Sequence, residues 1–278
     1  MRENHDATRT LVIKFGGDVV ADRSALARVL ACVHAQVEAG HQVLLCHGGG
    51  PQANALSGRL GLTPRKVGGR RVTDAATLQV VKCVLAGEVN VDVVAACRRA
   101  GITRAVGISG VSDGLVTAKR RPPKVVSGSE GKPVDFGFVG DVVEIRTRLI
   151  RHLWAGGLMP VINTLGIDDA GVVYNINADT ISTALAGALA ADDLYLITGV
   201  PGVLRDRHDP STRIPELTVS EARQAIADGV IVGGMIPKVE EALRQLGSGL
   251  KAVHILGADG FVAEANDPGS AGTTLIAE

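Results

Sequence analysis

Leu11-Val12-Ile13-Lys14-Phe15-Gly16-Gly17, followed by Gln42-Val43-Leu44-Leu45-Cys46-His47-Gly48-Gly49-Gly50-Pro51, decides the fold. In each stretch a short apolar run, too brief for a helix, ends in a cluster of glycines. Between them, Ser24 to Ala39 carries Leu26, Val29, Leu30, Val33 and Val37 at helical spacing and stops at Gly40. Pro51 can open the next helix. Strand, glycine turn and helix, repeated, imply a parallel sheet with crossover helices.

The same reading extends along the chain. A helical pattern runs from Asp74 to Ala100 with an interruption near Gly87, and Arg104 to Ser109 reads as a strand. From Leu115 to Val143 short Val-rich runs alternate with Pro122-Pro123 and Ser127 to Lys132, which predicts antiparallel hairpins. The loop from Ser127 to Pro133 reads either as a lid or as a plain hairpin tip. A helix over Thr147 to Ala155, a strand over Leu158 to Asn163, a turn at Asp168 to Gly171 and a helix over Ala178 to Ala190 follow. Beyond them come the strand Asp193 to Thr198, the turn Gly199 to Gly202, helices over Val219 to Asp228 and Pro237 to Leu246, and strands over Ala252 to Leu256 and Thr273 to Ile276. No free linker and no internal repeat interrupts this order.

Composition narrows the function. The 278 residues are 46% hydrophobic and 21% charged, which supports a sizeable core and excludes global disorder. Lys plus Arg and Asp plus Glu are each 29, so the formal net charge is zero and nothing favours a nucleic-acid partner. No apolar run reaches the ~18 residues of a membrane span, and Met1 to Thr10 lacks the apolar stretch of a signal peptide. Cys32, Cys46, Cys83 and Cys97 form no CxxC pair and read as reduced structural thiols of a cytoplasmic protein.

In an open parallel sheet, ligands bind beyond the carboxyl ends of the strands, where helix N-termini also point. Glycines there let backbone N–H groups approach an anion. Either cluster alone would be an ordinary tight turn; two at neighbouring strand ends, one carrying a lysine, point to an anion. The chain has no GxxxxGK[ST], which excludes a P-loop. It also has no GxGxxG after the first strand and no acid after Cys46-His47, which disfavours a dehydrogenase.

Seven pieces, taken in order, resemble the amino-acid kinase family, and within it the branch acting on N-acetyl-L-glutamate. They are Ile13-Lys14-Phe15-Gly16-Gly17, His47 to Gln52, Gly69-Arg70-Arg71-Val72-Thr73-Asp74, Val134 to Gly140, Asn175-Ile176-Asn177-Ala178-Asp179, Thr198 to Val203, and Gly233 to Lys238. The resemblance implies a three-layer αβα sandwich with a central, mainly parallel sheet. It also implies an N-terminal lobe (residues 1–190) that binds acetylglutamate and dimerises, and a C-terminal lobe (191–278) that binds ATP. The reaction implied is γ-phosphoryl transfer to a side-chain carboxylate in arginine biosynthesis, by a homodimer. Relatives inhibited by arginine carry an extra N-terminal helix; only about ten polar residues precede the first strand here, so weak arginine feedback is expected. Nothing in the sequence supports a nitrogen-signalling protein partner.

The residue types suit that chemistry. Lys14 ends an apolar strand, an unfavourable place for a solvated lysine. Lys238 opens a helix, where a cation opposes the dipole unless an anion is near. Both read as catalytic, on opposite sides of the phosphoryl group, with Asp179 as an organiser that could also cap its helix. Gly17 and Gly49 read as N–H donors to phosphoryl oxygens. Gly49, Gly50, Arg71 and Asn175 are the substrate-binding candidates, Arg71 through a bidentate grip on a carboxylate, selected over Arg70 by the motif alone. Lys14, Gly16, Gly17, Thr198, Gly199, Gly202, Val203, Met235 and Lys238 are the ATP-binding candidates. Mg2+ enters with ATP and no protein metal cage is expected; Asp168-Asp169 reads as a turn, and His47 as structural. The rival readings are another kinase of the family, acting for example on carrier-bound aminoadipate, and a silent ligand-binding regulator.

Overall fold

The computed structural model describes residues 8–126, 129–206, 208–233, 235–246 and 249–278. Its centre is Thr10–Phe15 (β1), where alternation sends Leu11, Ile13 and Phe15 to one face of the sheet and Val12 and Lys14 to the other. The short helix Gly17–Ala21 (α1) and the helix Arg23–Glu38 (α2) follow, α2 being capped by Asp22, which accepts from the amides of Ser24 and Ala25. Gln42–His47 (β2) then leads into Gly50–Arg59 (α3), with proline in its first turn.

A hairpin of Lys66–Val67 (β3) and Arg70–Arg71 (β4) precedes Ala75–Lys82 (α4), a π-helical stretch over Cys83–Val89, and Asn90–Arg99 (α5). The interruption read near Gly87 is thus a widening of a continuous helical path. Ala105–Ser109 (β5), Val116–Arg120 (β6), Gly140–Ile145 (β7), Arg148–Ala155 (α6), Met159–Asn163 (β8), Leu165–Ile167 (β9), Val173–Asn175 (β10) and Ala178–Leu189 (α7) come next. Asp193–Ile197 (β11), Glu216–Thr218 (β12), Val219–Ala227 (α8), Met235–Gln245 (α9), Ala252–Leu256 (β13), Ala258–Asn266 (α10) and Thr273–Ile276 (β14) complete the order.

The main sheet has the order β12-β14-β13-β11-β1-β2-β8-β5, and only the β13–β14 pairing is antiparallel. Strands from before residue 190 form one half and strands from after it the other, joined where β1 pairs with β11. One face packs against α2, α4, α5 and α10 through Val29, Val81, Val93 and Phe261. The other packs against α6, α7, α8 and α9 through Ile150, Ile181, Ala222 and Val239. The result is the expected three-layer αβα sandwich. A smaller sheet, β10-β9-β6-β7, contains the antiparallel β6–β7 pair expected from the Val-rich segment.

Several elements depart from the sequence reading. Helix α10 fills a segment where no element was expected: only Phe261 and Glu264 of its nine residues are buried, too few to set a period. Strands β3, β4, β9, β10 and β12 are two or three residues long, too short for any alternation to show. Ser127 and Gly128 lie outside the described residues; beside them an antiparallel bridge between Lys124 and Val134 closes the base of that loop as a hairpin.

Candidate active site

Lys14 is the last residue of β1 to face α7, and α7 runs back over the sheet with its N-terminus at that strand end. Asp179, in the first turn of α7, therefore meets Lys14: Nζ forms an ion pair with Oδ1 at 2.8 Å. Lys238, in the first turns of α9, donates a hydrogen bond of 2.6 Å to Oδ2 of the same carboxylate. One aspartate thus holds two buried lysines. Burial alone would raise the Asp179 carboxyl, but the two ammonium groups outweigh it and hold the group far below the usual carboxylate range. Burial pushes the Lys238 ammonium down, Asp179 draws it part of the way back, and Lys14 adds to the lowering. Asp179 is not the helix cap: Asn177 is, accepting from the amides of Asp179 and Thr180 at 2.8 and 3.3 Å. The carboxylate is left free for the lysines.

The two glycine loops meet beside this triad. The Gly48 amide donates to the Phe15 carbonyl (3.0 Å) and the Gln52 side chain donates to the Gly17 carbonyl (2.7 Å). A Cβ on Gly17 would lie 2.9 Å from both Gly49 Cα and Pro51 Cδ, and one on Gly49 would lie 2.7 Å from Leu85 Cδ2. Only glycine permits that approach. Gly16 stands at the N-cap of α1 and Gly50 begins α3, so two helix N-termini converge on the junction.

Arg71 reaches the same loop. Its Nη2 donates to the Gly50 carbonyl (3.1 Å) and to Asn54 Oδ1 (2.6 Å), while Nη1 is buried without a partner. That orphaned donor is the mark of a guanidinium awaiting an anion. Asn175 stands on a wall that three distant segments build together. Thr73 exchanges backbone bonds with Phe136 and Phe138, the Asn175 amide donates to the Phe138 carbonyl (2.9 Å), and Asn175 Nδ2 donates to Thr73 Oγ1 (3.2 Å).

Beyond the ends of β11 and β13 opens a cleft of about 610 Å³, lined by Thr198, Gly199, Gly257 and Gly272, with Asp18 and Arg28 at its side. Gly202, Val203 and Met235 do not line it. Val203 is a core residue whose amide donates to Thr273 Oγ1, Gly202 backs on the same threonine, and Met235 packs against the core on the Lys14 face. Gly234 lies outside the described residues. Asp168 is the turn it was read as, accepting from the amides of Ala170 and Val172 and from the Tyr174 hydroxyl. Among the described residues no three histidines, cysteines, aspartates or glutamates converge as metal ligands.

Residues 9–257 match the sequence profile of the amino acid kinase family. The chain belongs to that family. It is 48% identical over 272 residues to the acetylglutamate kinase of Anaeromyxobacter dehalogenans strain 2CP-C, covering 96% of this chain and 99% of that one. It is 47% identical to the acetylglutamate kinase of Sorangium cellulosum strain So ce56, covering 97% and 95%. Among solved structures, smu.665 from Streptococcus mutans UA159 superposes with a TM-score of 0.74 at 29% identity, covering 97% of this chain and 99% of that one. The carbamate kinase from Giardia lamblia bound to AMP-PNP shares the fold, with a TM-score of 0.72 at 20% identity over 98% of this chain and 99% of that one.

Within this amino acid kinase the sequence reading missed several contributors: Asn54, which bonds Arg71; Gln52, which ties the loops; Asn177, the cap of α7; and Asn90. The last had only a weak signal, an amide between two valines in Val89-Asn90-Val91. Gln52 and Asn177 lie inside motifs dominated by glycines and charges, and Asn54 lies just beyond the His47 to Gln52 piece with no signal of its own.

Proposed function

We infer that the chain transfers the γ-phosphoryl group of ATP to the side-chain carboxylate of N-acetyl-L-glutamate, giving N-acetyl-L-glutamyl 5-phosphate for arginine biosynthesis. The observation that carries this reading is the pair of buried lysines held on one aspartate at the meeting point of two glycine loops.

A carboxylate nucleophile with an ordinary pKa of about 4.3 is ionised at neutral pH and needs no base. Asp179, held further below that range, stays ionised and takes no proton. What remains is to bring two anions together and to balance charge on the transferring group. Lys14 and Lys238 supply the positive charge, and Asp179 fixes their positions. The Gly17 and Gly49 amides face the same group. Arg71, with its unpartnered Nη1, grips a carboxylate of the substrate, and Asn175 stands beside it on the wall of the N-terminal lobe, residues 1–190.

The nucleotide lies along the C-terminal lobe, residues 191–278, with Thr198 and Gly199 in the cleft wall. Mg2+ enters on the nucleotide and, when bound, neutralises its phosphates. Asp18, which lines the cleft and lies near enough to Lys238 to favour its charge, is the carboxylate that fits an ion carried there. A homodimer in the cytoplasm completes this reading. Its four free cysteines suit a reducing compartment, and among the described residues no helix is long and apolar enough to cross a membrane.

The test is hydroxylamine trapping with Mg-ATP, offering N-acetyl-L-glutamate, L-glutamate, L-aspartate and carbamate in parallel. Acyl hydroxamate from acetylglutamate alone is the expected result. Hydroxamate from another carboxylate, or from none, overturns the assignment.

A further inference from the structure

The peptide between Gly48 and Gly49 is gripped by side chains that phosphoryl transfer as described does not use. His47, fully buried, places Nδ1 3.0 Å from the Gly48 carbonyl oxygen and Nε2 2.9 Å from Asn90 Nδ2. The same Asn90 nitrogen lies 3.1 Å from the Val161 carbonyl. An amide nitrogen has two hydrogens and no acceptor capacity, so both are donated, one to Val161 and one to the imidazole. His47 Nε2 is therefore the bare, accepting nitrogen, and the single ring proton sits on Nδ1, donated to the Gly48 carbonyl. Asn90 cannot turn over, because its Oδ1 would then meet the Val161 carbonyl. Its Oδ1 occupies the space that a Cβ on Gly107 of β5 would fill.

In a trans peptide the carbonyl and the following N–H point in opposite directions, and no cis bond occurs among the described residues. Fixing the Gly48 carbonyl on His47 thus directs the Gly49 N–H away from His47. On the other side, the Gly48 amide is tied to the Phe15 carbonyl at the end of β1. Among the described residues the Gly49 amide donates to no protein acceptor, which leaves it open to a water or to a ligand oxygen.

The geometry points to His47 as the positioning residue that aims the Gly49 N–H at the transferring phosphoryl group, with Asn90 setting the ring's tautomer. This rests on the phosphoryl-transfer reading above. The chain of contacts runs from Val161 on β8 and Gly107 on β5 through Asn90 and His47 to the glycine loop, so the rigid sheet, not the loop, sets the direction of the donor. Burial holds the His47 pKa down to about 4, so the ring keeps this neutral form throughout the neutral range.

Two substitutions of similar size separate aiming from packing. In His47→Asn the side-chain nitrogen falls near the position of Nδ1 and keeps the donor to the Gly48 carbonyl. In His47→Gln it falls near Nε2 and the donor is lost. Removing one donor to a developing anion costs on the order of 10²-fold in rate, so a misaimed one is expected to lower kcat of His47→Gln at least about tenfold, with His47→Asn within about threefold of wild type. KM for acetylglutamate stays within about twofold in both, because Arg71 and Asn175 are untouched. Melting temperatures of both variants are read alongside.

Equal kcat losses in the two variants, or losses confined to KM, overturn the proposal. Long-range 1H–15N correlation of the wild-type protein at pH 7 gives a second readout that needs neither turnover nor a variant. A neutral ring protonated on Nδ1 supports the proposal, and a ring protonated on Nε2 overturns it whatever the activity. An inactive wild type with the Nδ1-protonated ring would count against the functional reading and leave this contact chain standing.

Discussion

Replacing Asp179 by asparagine keeps the shape of the side chain and removes the one charge that faces both lysines. In the wild type the two ammonium groups lie 2.8 and 2.6 Å from its oxygens, and both lysine side chains are about nine-tenths buried. Asp179→Asn leaves two buried cations without an anion, a change that costs about 3–5 kcal/mol. The ceiling comes from a way out: one lysine releases its proton. With an ordinary pKa of about 10.4, neutralising a lysine at pH 7 takes roughly 3.4 pH units at about 1.4 kcal/mol each, or about 5 kcal/mol. The folded variant then holds a lysine of depressed pKa and binds fewer protons than the unfolded chain. Its stability therefore rises with pH, by up to about 1.4 kcal/mol per unit, until the ordinary lysine pKa is reached. Lys238 is already drawn down in the wild type, which gives that protein a shallower rise. The contribution of Asp179 itself, whose folded pKa is depressed, is complete above about pH 4 and lost only in strong acid. The gap between the proteins should thus be about 3–5 kcal/mol at pH 7 and shrink to about 1–2 kcal/mol by pH 9.5. Urea unfolding, followed by circular dichroism and by fluorescence of the lone tryptophan, Trp154, measures it. A gap that is constant with pH, or below about 1 kcal/mol at pH 7, would refute the claim that this carboxylate holds both lysines.

Arg71→Lys keeps the charge but loses the fork that bonds Gly50 and Asn54 while presenting Nη1; steady-state kinetics should show KM for acetylglutamate raised about tenfold with kcat little changed. Gly17→Ala sets a methyl 2.9 Å from Gly49 Cα and Pro51 Cδ, atoms that cannot swing aside. Prising the loops apart should lower kcat about 10²-fold while circular dichroism shows the fold retained. Thiol labelling of the native protein should modify the exposed Cys83 and spare Cys46 and Cys97, whose thiols burial pushes up to about 12, until denaturant opens the core.

What the sequence disclosed follows from the range of the forces involved. Lys14 was legible because a charge at the end of the run Leu11 to Phe15 contradicts its surroundings, and the strand period places it on the face opposite Ile13. The glycine loops were legible as a pair because each ends a buried strand. That Asp179 joins Lys14 and Lys238 was suggested only by resemblance, since the three are separated by 165 and 59 positions and meet through the packing of α7 and α9 on the sheet. Asn177, not Asp179, caps α7, because either residue suits a cap and only the entry angle of the chain chooses between them. The wall of Thr73, Phe138 and Asn175 is built from isolated bridges with no periodicity of their own. Val203, read from the motif as part of the nucleotide loop, has its side chain in the core, a burial that the motif does not disclose.

The central claim is that a carboxylate oxygen of acetylglutamate attacks the γ-phosphorus of ATP. Acetylglutamate labelled with 18O in both oxygens of its side-chain carboxylate, turned over with Mg-ATP in hydroxylamine, tests it directly. Hydroxylamine cleaves the acyl phosphate at carbon, so phosphorus NMR should show each released phosphate carrying one 18O. Phosphate released without label would mean that water is the nucleophile, and the two lysines on Asp179 would then serve some other reaction.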